Sequence, residues 1–175
     1  MGYDIVHEVN RIEQEWDAPD EGRRDNRKEC WDERAPGWEE GLRSDEIKRK
    51  RHDERTRATV EWLQSFGLLS GDQEIADIGC GPGRFVAEFA EKSKYVLGVD
   101  ISPRMIEFGQ EYLKQRGLMN AGFYAGDFTK LDIREMGWEK RFDLAFSSIT
   151  PAIRGKKGLD NFIGISRTWC YNSCF

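Results

Sequence analysis

Apolar and polar positions are distributed unevenly along the chain. From Tyr3 to Arg57 almost every third residue is charged and apolar residues are scattered, whereas from Val60 onward apolar clusters recur between turn signals. The second pattern is that of a packed domain. Up to about residue 45, Pro19, Gly22, Pro36 and Gly37 interrupt any long helix, while Trp16, Trp31 and Trp38 provide something to bury. The expectation is an N-terminal arm over 1–45, irregular or helical and loosely packed on another surface, with partial disorder as the alternative. Ser44-Asp45-Glu46 then opens a helix, its two acids well placed for the helix dipole. It runs through Val60, Trp62, Leu63 and Phe66 to a capping Gly67.

After Gly71 the pattern alternates strand and helix. Glu74 to Ile78 reads as a strand, Arg84 to Lys92 as a helix, and Tyr95 to Val99 as a second strand ending in Asp100. Ser102 and Pro103 form a helix entrance, N-cap then first-turn proline, for a helix that reaches Gln115 and stops at Gly117. Ala121 to Tyr124 is a third strand, and Lys130 to Trp138 an irregular connection. Phe142 to Ser147 follows as a fourth strand, Leu159 to Arg167 as a helix and Thr168 to Phe175 as a fifth strand. Such alternation predicts an α/β fold over 46–175, a parallel sheet with helices on both faces.

Composition narrows the picture only a little. Hydrophobic residues make up 38% and charged residues 34% of 175, with a net charge of −5 and a pI near 5.2. Nothing global calls for nucleic acid or an anionic membrane. No apolar run approaches the ~18 residues of a membrane span, and the first residues do not form a signal peptide, so a cytoplasmic protein is expected. Cys30, Cys80, Cys170 and Cys174, with His7 and His52, lack zinc-ligand spacing. No metal and no disulfide are assigned. Cys170 and Cys174 share one face of the fifth strand, where buried small hydrophobes are the ordinary reading. The basic run Lys48-Arg49-Lys50-Arg51, with Arg55 and Arg57, is interrupted by Asp53 and Glu54, which favours a solvated helix face.

Chemistry concentrates in Asp77-Ile78-Gly79-Cys80-Gly81-Pro82-Gly83, between a strand and a helix. Glycines there let the backbone turn sharply and approach a ligand, and the helix start offers N–H donors. A dinucleotide fingerprint needs a third glycine where Arg84 stands. Asp100 follows 17 residues after Gly83. If the first two strands are neighbours, ~4.8 Å apart, their ends share one crevice, where a carboxylate can accept both ribose hydroxyls.

These elements, followed by Ile101-Ser102-Pro103-Arg104-Met105, Gly126-Asp127-Phe128 and Arg141 to Ser148, resemble the S-adenosylmethionine-dependent methyltransferases of the Rossmann-like class over roughly Gly71 to Phe175. The resemblance implies a doubly wound sheet in the order 3-2-1-4-5. It implies that Asp77, Gly79, Gly81 and Gly83 surround the methionyl part of the cofactor, with Cys80 a packing or backbone-contact position. Asp100, with Ile101 and Met105 behind it, would receive the ribose. Asp127 would meet the adenine amino group and Phe128 its ring. Ser147 would bind cofactor too, where the outgoing loop from Ser148 to Ala152 borders the transferred methyl. Asp143 is read as structural, and Thr150 and Pro151 as shaping a loop.

The expected activity is methyl transfer from S-adenosylmethionine to a small-molecule acceptor, with the N-terminal arm, Trp31 and Trp38 covering the pocket. No residue is assigned as a general base. The family's sheet ends in a further strand hairpin, so the chain is expected to be C-terminally incomplete. Its fifth strand would then offer an exposed edge for a homodimer and the chain would be weakly active or inactive. The alternatives are a cofactor-binding module without activity, an RNA or protein methyltransferase favoured if the 48–57 basic residues cluster beside the pocket, and, more distantly, a nicotinamide-dependent oxidoreductase.

Overall fold

The computed structural model describes residues 27–173; the expectations for Trp16, Pro19, Gly22, His7 and Cys174 lie outside them. Helices α1 (Lys28–Ser44) and α2 (Glu46–Ser65) precede β1 (Glu74–Ile78), α3 (Arg84–Ala90), β2 (Tyr95–Asp100), α4 (Pro103–Gln115) and β3 (Ala121–Ala125). A 3-10 turn at Phe128–Lys130 leads to β4 (Phe142–Ser148), α5 (Gly155–Ile165) and β5 (Ser166–Ser173). The five strands form one sheet in the order β3-β2-β1-β4-β5, and every pairing is parallel. This is the expected Rossmann-like architecture.

Strand alternation divides the core between the two faces of the sheet. Ile75, Val96, Leu144 and Phe146 pack with Val60 and Leu63 of α2, Val86 and Phe89 of α3, and Ile106 and Leu113 of α4. Their neighbours Ala76, Ile78, Leu97, Val99 and Ala145 pack against Phe162 and Ile165 of α5, and against Ile133 and Trp138 of the connection after β3. Both faces of the central strands are therefore covered, which is why their sequences read as continuous apolar runs. Burial of this kind contributes roughly 1.5–3 kcal/mol per large side chain.

Local signals place the helix ends. Asp45 caps α2 by accepting from Lys48 N at 2.9 Å, and Gly67, with φ +71°, reverses the chain behind it. Ser102 Oγ accepts from Met105 N at 3.2 Å to cap α4. Asp143 ties strands together as expected, its Oδ2 accepting from Glu74 N at 2.8 Å and its Oδ1 facing Arg167 Nε at 2.8 Å.

Three expectations are corrected. Pro36 and Gly37 do not interrupt α1, which continues through both. An interior proline costs ~3 kcal/mol, and the complete burial of Ala35 and Leu42 offsets it. The last helix begins at Gly155 and ends before Arg167, so β5 starts two residues earlier than expected. Two glycines hid that start; at Gly158 a Cβ would come within 3.2 Å of the Thr129 methyl group. Cys170 is exposed rather than buried, because β5 is the outer strand of the sheet and its outward face is largely uncovered among the described residues.

Candidate active site at the strand ends

A cavity of about 260 Å³ opens at the C-terminal ends of β1, β2, β3 and β4, the crevice that open parallel sheets use for ligands. Its lower wall includes Asp77, Gly79, Cys80, Gly81, Asp100 and Ile101. Met105, Gly126, Asp127 and Phe128 continue it toward β3. Parallel register makes this assembly inevitable: Asp77 pairs with Gly98 across β1 and β2, and Asp100 with Ala125 across β2 and β3. Gly79 N and Cys80 N both donate to Val99 O, at 2.7 and 3.1 Å, which ties the glycine loop to the strand carrying Asp100.

The three acids are held differently. Asp100 Oδ2 accepts from Gly81 N at 2.8 Å and its Oδ1 from Ser102 N at 2.9 Å. Each oxygen keeps a lone pair for a ligand. Burial raises its pKa despite these bonds. Asp77 is 2% exposed, and its Oδ2 is buried without a hydrogen-bond partner. Burial, and then the charge of Asp100, push its carboxyl well above the usual range. For Asp127 partial burial pulls upward, but the Thr129 hydroxyl and the Arg154 charge prevail and hold its carboxyl below the ordinary value. Its Oδ1 accepts from Thr129 N and Oγ1 at 3.1 and 2.7 Å, and its Oδ2 lies 3.0 Å from Arg154 Nη2.

Two of the singled-out positions lie off the cavity wall. Ser147 is fully buried and its Oγ donates to Ile78 O at 3.0 Å, holding β4 to β1, while its neighbour Ser148 lines the cavity. Gly83 caps α3 with φ +72°, and a Cβ there would meet the Phe123 ring and the backbone of Gly109. It allows helix–strand packing behind the loop. Gly79 faces the cavity with φ +75°, and a methyl group on it would overlap the Thr150 side chain. Cys80 is buried, its Sγ 3.6 Å from Gly81 O; burial first, and then Asp100 and Asp77, raise its thiol well above the usual range. A thiol so held is not a nucleophile at neutral pH.

The opposite wall comes from elements whose sequence carries no motif. Trp31 and Trp38 of α1, His52 and Arg55 of α2, and Arg84 and Phe85 of α3 line it. Helix α1 is fastened there by Asp32, whose Oδ1 accepts from Ser102 Oγ at 2.6 Å beside the Asp100 turn. Thr150, Pro151 and Ala152 complete the rim, following Ile149, a β-branched residue at φ +53°. Such a conformation is strained and persists only where its surroundings enforce it.

His52 was not foreseen. Its ring meets Trp38 edge-on at 6.1 Å between centroids. Burial first, and then the charges of Arg55 and Arg84, lower its pKa, so it is neutral at pH 7. Thr56 Oγ1 donates its single hydrogen to His52 O at 2.9 Å. Thr56 Oγ1 also lies 3.4 Å from Nδ1 of the ring. No sequence signal marked His52, since its contact with Trp38 is made between two helices. Of the basic run, Arg55 alone reaches the cavity wall.

A parallel sheet in this order, with acids at three successive strand ends around a glycine loop, defines a nucleotide-cofactor domain of the Rossmann-like class. The family model described as a methyltransferase domain matches residues 69–161, over half of the chain, and the chain belongs to this family. Among curated relatives, the 23S rRNA (uracil(1939)-C(5))-methyltransferase RlmD of Klebsiella pneumoniae is 28% identical over 109 residues, 62% of this chain and 24% of that protein. The enzyme of the same name from Alcanivorax borkumensis is 32% identical over 73 residues, 42% of this chain and 16% of its own. The chain thus spans a quarter or less of the length of these relatives. Among solved structures, a SAM dependent methyltransferase from Aquifex aeolicus shares the fold with a TM-score of 0.57 at 20% identity, covering 73% of this chain and 70% of that one. Haemonchus contortus phosphoethanolamine N-methyltransferase 1, in complex with phosphoethanolamine and S-adenosylhomocysteine, gives 0.54 at 21% identity, covering 82% of this chain and 31% of its own.

Proposed function

We propose that the chain binds S-adenosylmethionine and transfers its methyl group to a small-molecule acceptor. The observation that carries this reading is the buried, unpartnered Asp77 Oδ2 beside the glycine loop. An acceptor atom hidden from water without a donor costs roughly 1–3 kcal/mol, and an ammonium group relieves that cost. The remaining residues fit the same ligand. Asp100 retains lone pairs for two hydroxyls, Gly81 leaves open space at the loop, and Ile101, Met105 and Phe128 offer apolar contact for a purine. Asp127 keeps an oxygen near that ring, shared with Arg154.

When bound, the cofactor supplies a methyl group already activated by a sulfonium, so the protein's task is to align and enclose. Alignment of this kind is worth up to ~7–11 kcal/mol. Asp77 and Asp100 anchor the two polar ends of the ligand, the Thr150-Pro151 rim borders the reacting centre, and Trp31 and Trp38 exclude water. For an acceptor that loses a proton, His52 is the neutral imidazole on the cavity wall.

The test is a calorimetric titration of the protein with S-adenosylmethionine, in parallel with NAD and with an Asp100→Ala variant. Micromolar binding of S-adenosylmethionine, absent for NAD and lost in the variant, is expected. Binding of NAD in preference would return the chain to the oxidoreductases. An RNA acceptor is the second reading, favoured by the rRNA methyltransferases among the relatives and by the presence of Arg55 on the wall. Methyl incorporation into a short RNA, and into no small molecule, would establish it instead.

A further inference from the structure

The cavity wall carries three carboxylates and three arginines, of which Arg154 is paired with Asp127. All three carboxylates, Asp77, Asp100 and Asp127, belong to the strand ends. The side built by α1, α2 and the start of α3 presents Arg55 and Arg84 among Trp31, Trp38 and Phe85, with no carboxylate on that part of the wall among the described residues. Behind it, Asp53 Oδ1 lies 3.7 Å from Arg84 Nη1, beyond hydrogen-bond length. The Arg84 side chain is 10% exposed, its guanidinium carbon is 4.1 Å from the centre of the Tyr112 ring, and its Nε is buried without a partner.

Arg55 and Arg84 line the same cavity in which the proposed function places a sulfonium. Two cations across a low-dielectric cleft repel each other, and a guanidinium N–H kept from water lacks an acceptor. An anion between the walls relieves both, and the indoles and the phenyl ring beside the arginines suit a flat ring.

We propose that the methyl acceptor is a flat aromatic small molecule bearing an acidic group, its ring among Trp31, Trp38 and Phe85 and its anionic oxygens directed to Arg84 and Arg55. This rests on the cofactor reading above and names the acceptor class for the same cavity. A neutral isostere offers the two arginines no anion inside the cavity and binds less well.

The experiment uses the whole chain saturated with S-adenosylhomocysteine, whose own isotherm is measured first. Failure of that isotherm sinks the methyltransferase reading and this proposal with it. With it in hand, indole-3-acetate, benzoate and quinoline-2-carboxylate are titrated against their amides, with succinate as the acid that has no ring. At least one aromatic acid is expected to bind tenfold or more tightly than its amide and than succinate. That preference should fall below threefold in Arg84→Gln and weaken in Arg55→Gln, a surface change that keeps the test valid if the first variant fails to fold. Equal binding of acids and amides, or a preference that survives both substitutions, overturns the proposal. So does displacement of the bound acids by a short RNA at lower concentration, which would assign the cationic wall to a phosphodiester backbone.

Discussion

The strand-end side of the cleft and its helical side differ in how their residues are held. On the first, two of the three acids are fixed by backbone groups, Asp100 by Gly81 N and Ser102 N and Asp127 by Thr129 N, while Asp77 keeps Oδ2 without a partner. Sheet register sets the spacing between them. On the second, Trp31, Trp38, His52 and Arg55 project from two helices, and the side-chain link from Asp32 to Ser102 fastens the first of these to the cofactor turn. A wall set by backbone geometry suits a ligand that never changes, and a wall of helix-borne side chains suits a ligand that differs between relatives. Substitutions on the first wall should therefore abolish cofactor binding, and those on the second should spare it.

The largest effect is expected at Asp100. Alanine there removes two charge-assisted hydrogen bonds and the acceptor for the ribose, and S-adenosylhomocysteine affinity should fall about a hundredfold or more by calorimetry. Gly79→Ala comes next. Its φ of +75° and its closeness to Thr150 make any Cβ strained, and a loss of about 1–3 kcal/mol is expected in denaturant unfolding, together with weakened binding. Retention of native affinity in either variant would erase the contrast between the two walls.

The pH dependence sharpens it further. Asp77 and Asp100 both have carboxyls raised above the ordinary 3.8 by burial. Above pH 3.8 these two sites hold more protons in the folded than in the unfolded protein. Their contribution to ligand-free stability should fall as pH rises from there through the raised values, and level off beyond them, while the lowered carboxyls of Glu74 and Asp127 act in the opposite sense. An ammonium favours the ionised form, so S-adenosylhomocysteine affinity should rise over the same interval with release of protons. Asp77→Asn should flatten its share of both trends, stabilising the free protein near neutral pH while weakening binding. A pH-independent affinity between pH 4 and 8 would contradict this.

On the helical wall, Trp38→Ala should change S-adenosylhomocysteine affinity by less than about threefold, since the indole is 39% exposed and faces the acceptor side. The smallest effect belongs to Asp45, outside the cleft altogether, where alanine removes the α2 cap. It should cost ~1 kcal/mol in unfolding without touching binding.

The same contrast explains what could be read from the chain. Asp100 and Asp127 announce themselves because each closes a strand ahead of a helical turn, and Asp77 because it stands two residues before the glycine loop. The Ser102-Pro103 entrance was legible in the same way, whereas the sheet order came from the family resemblance. Ser147 lies off the cavity wall and Ser148 on it, because period-two alternation sends neighbouring side chains to opposite faces and Ser147 Oγ is turned to Ile78 O. Gly83 resembles its two companions in sequence, yet Phe123 determines its role from a strand 40 residues away. His52 and Arg55 were invisible as site residues because nothing in a charged helix tells which turn will cross a cleft. Continuity of α1 through Pro36 was hidden likewise, since tertiary burial of Ala35 and Leu42 decides it.

The division of labour between the walls is tested most directly by backbone and indole N–H spectra recorded while S-adenosylhomocysteine is added. The account predicts the largest shifts at Gly79, Gly81, Ile101 and Asp127, with the indole signals of Trp31 and Trp38, two of six tryptophans, moving little until an acceptor follows. Large indole shifts with a still glycine loop would place the cofactor on the helical wall and contradict it.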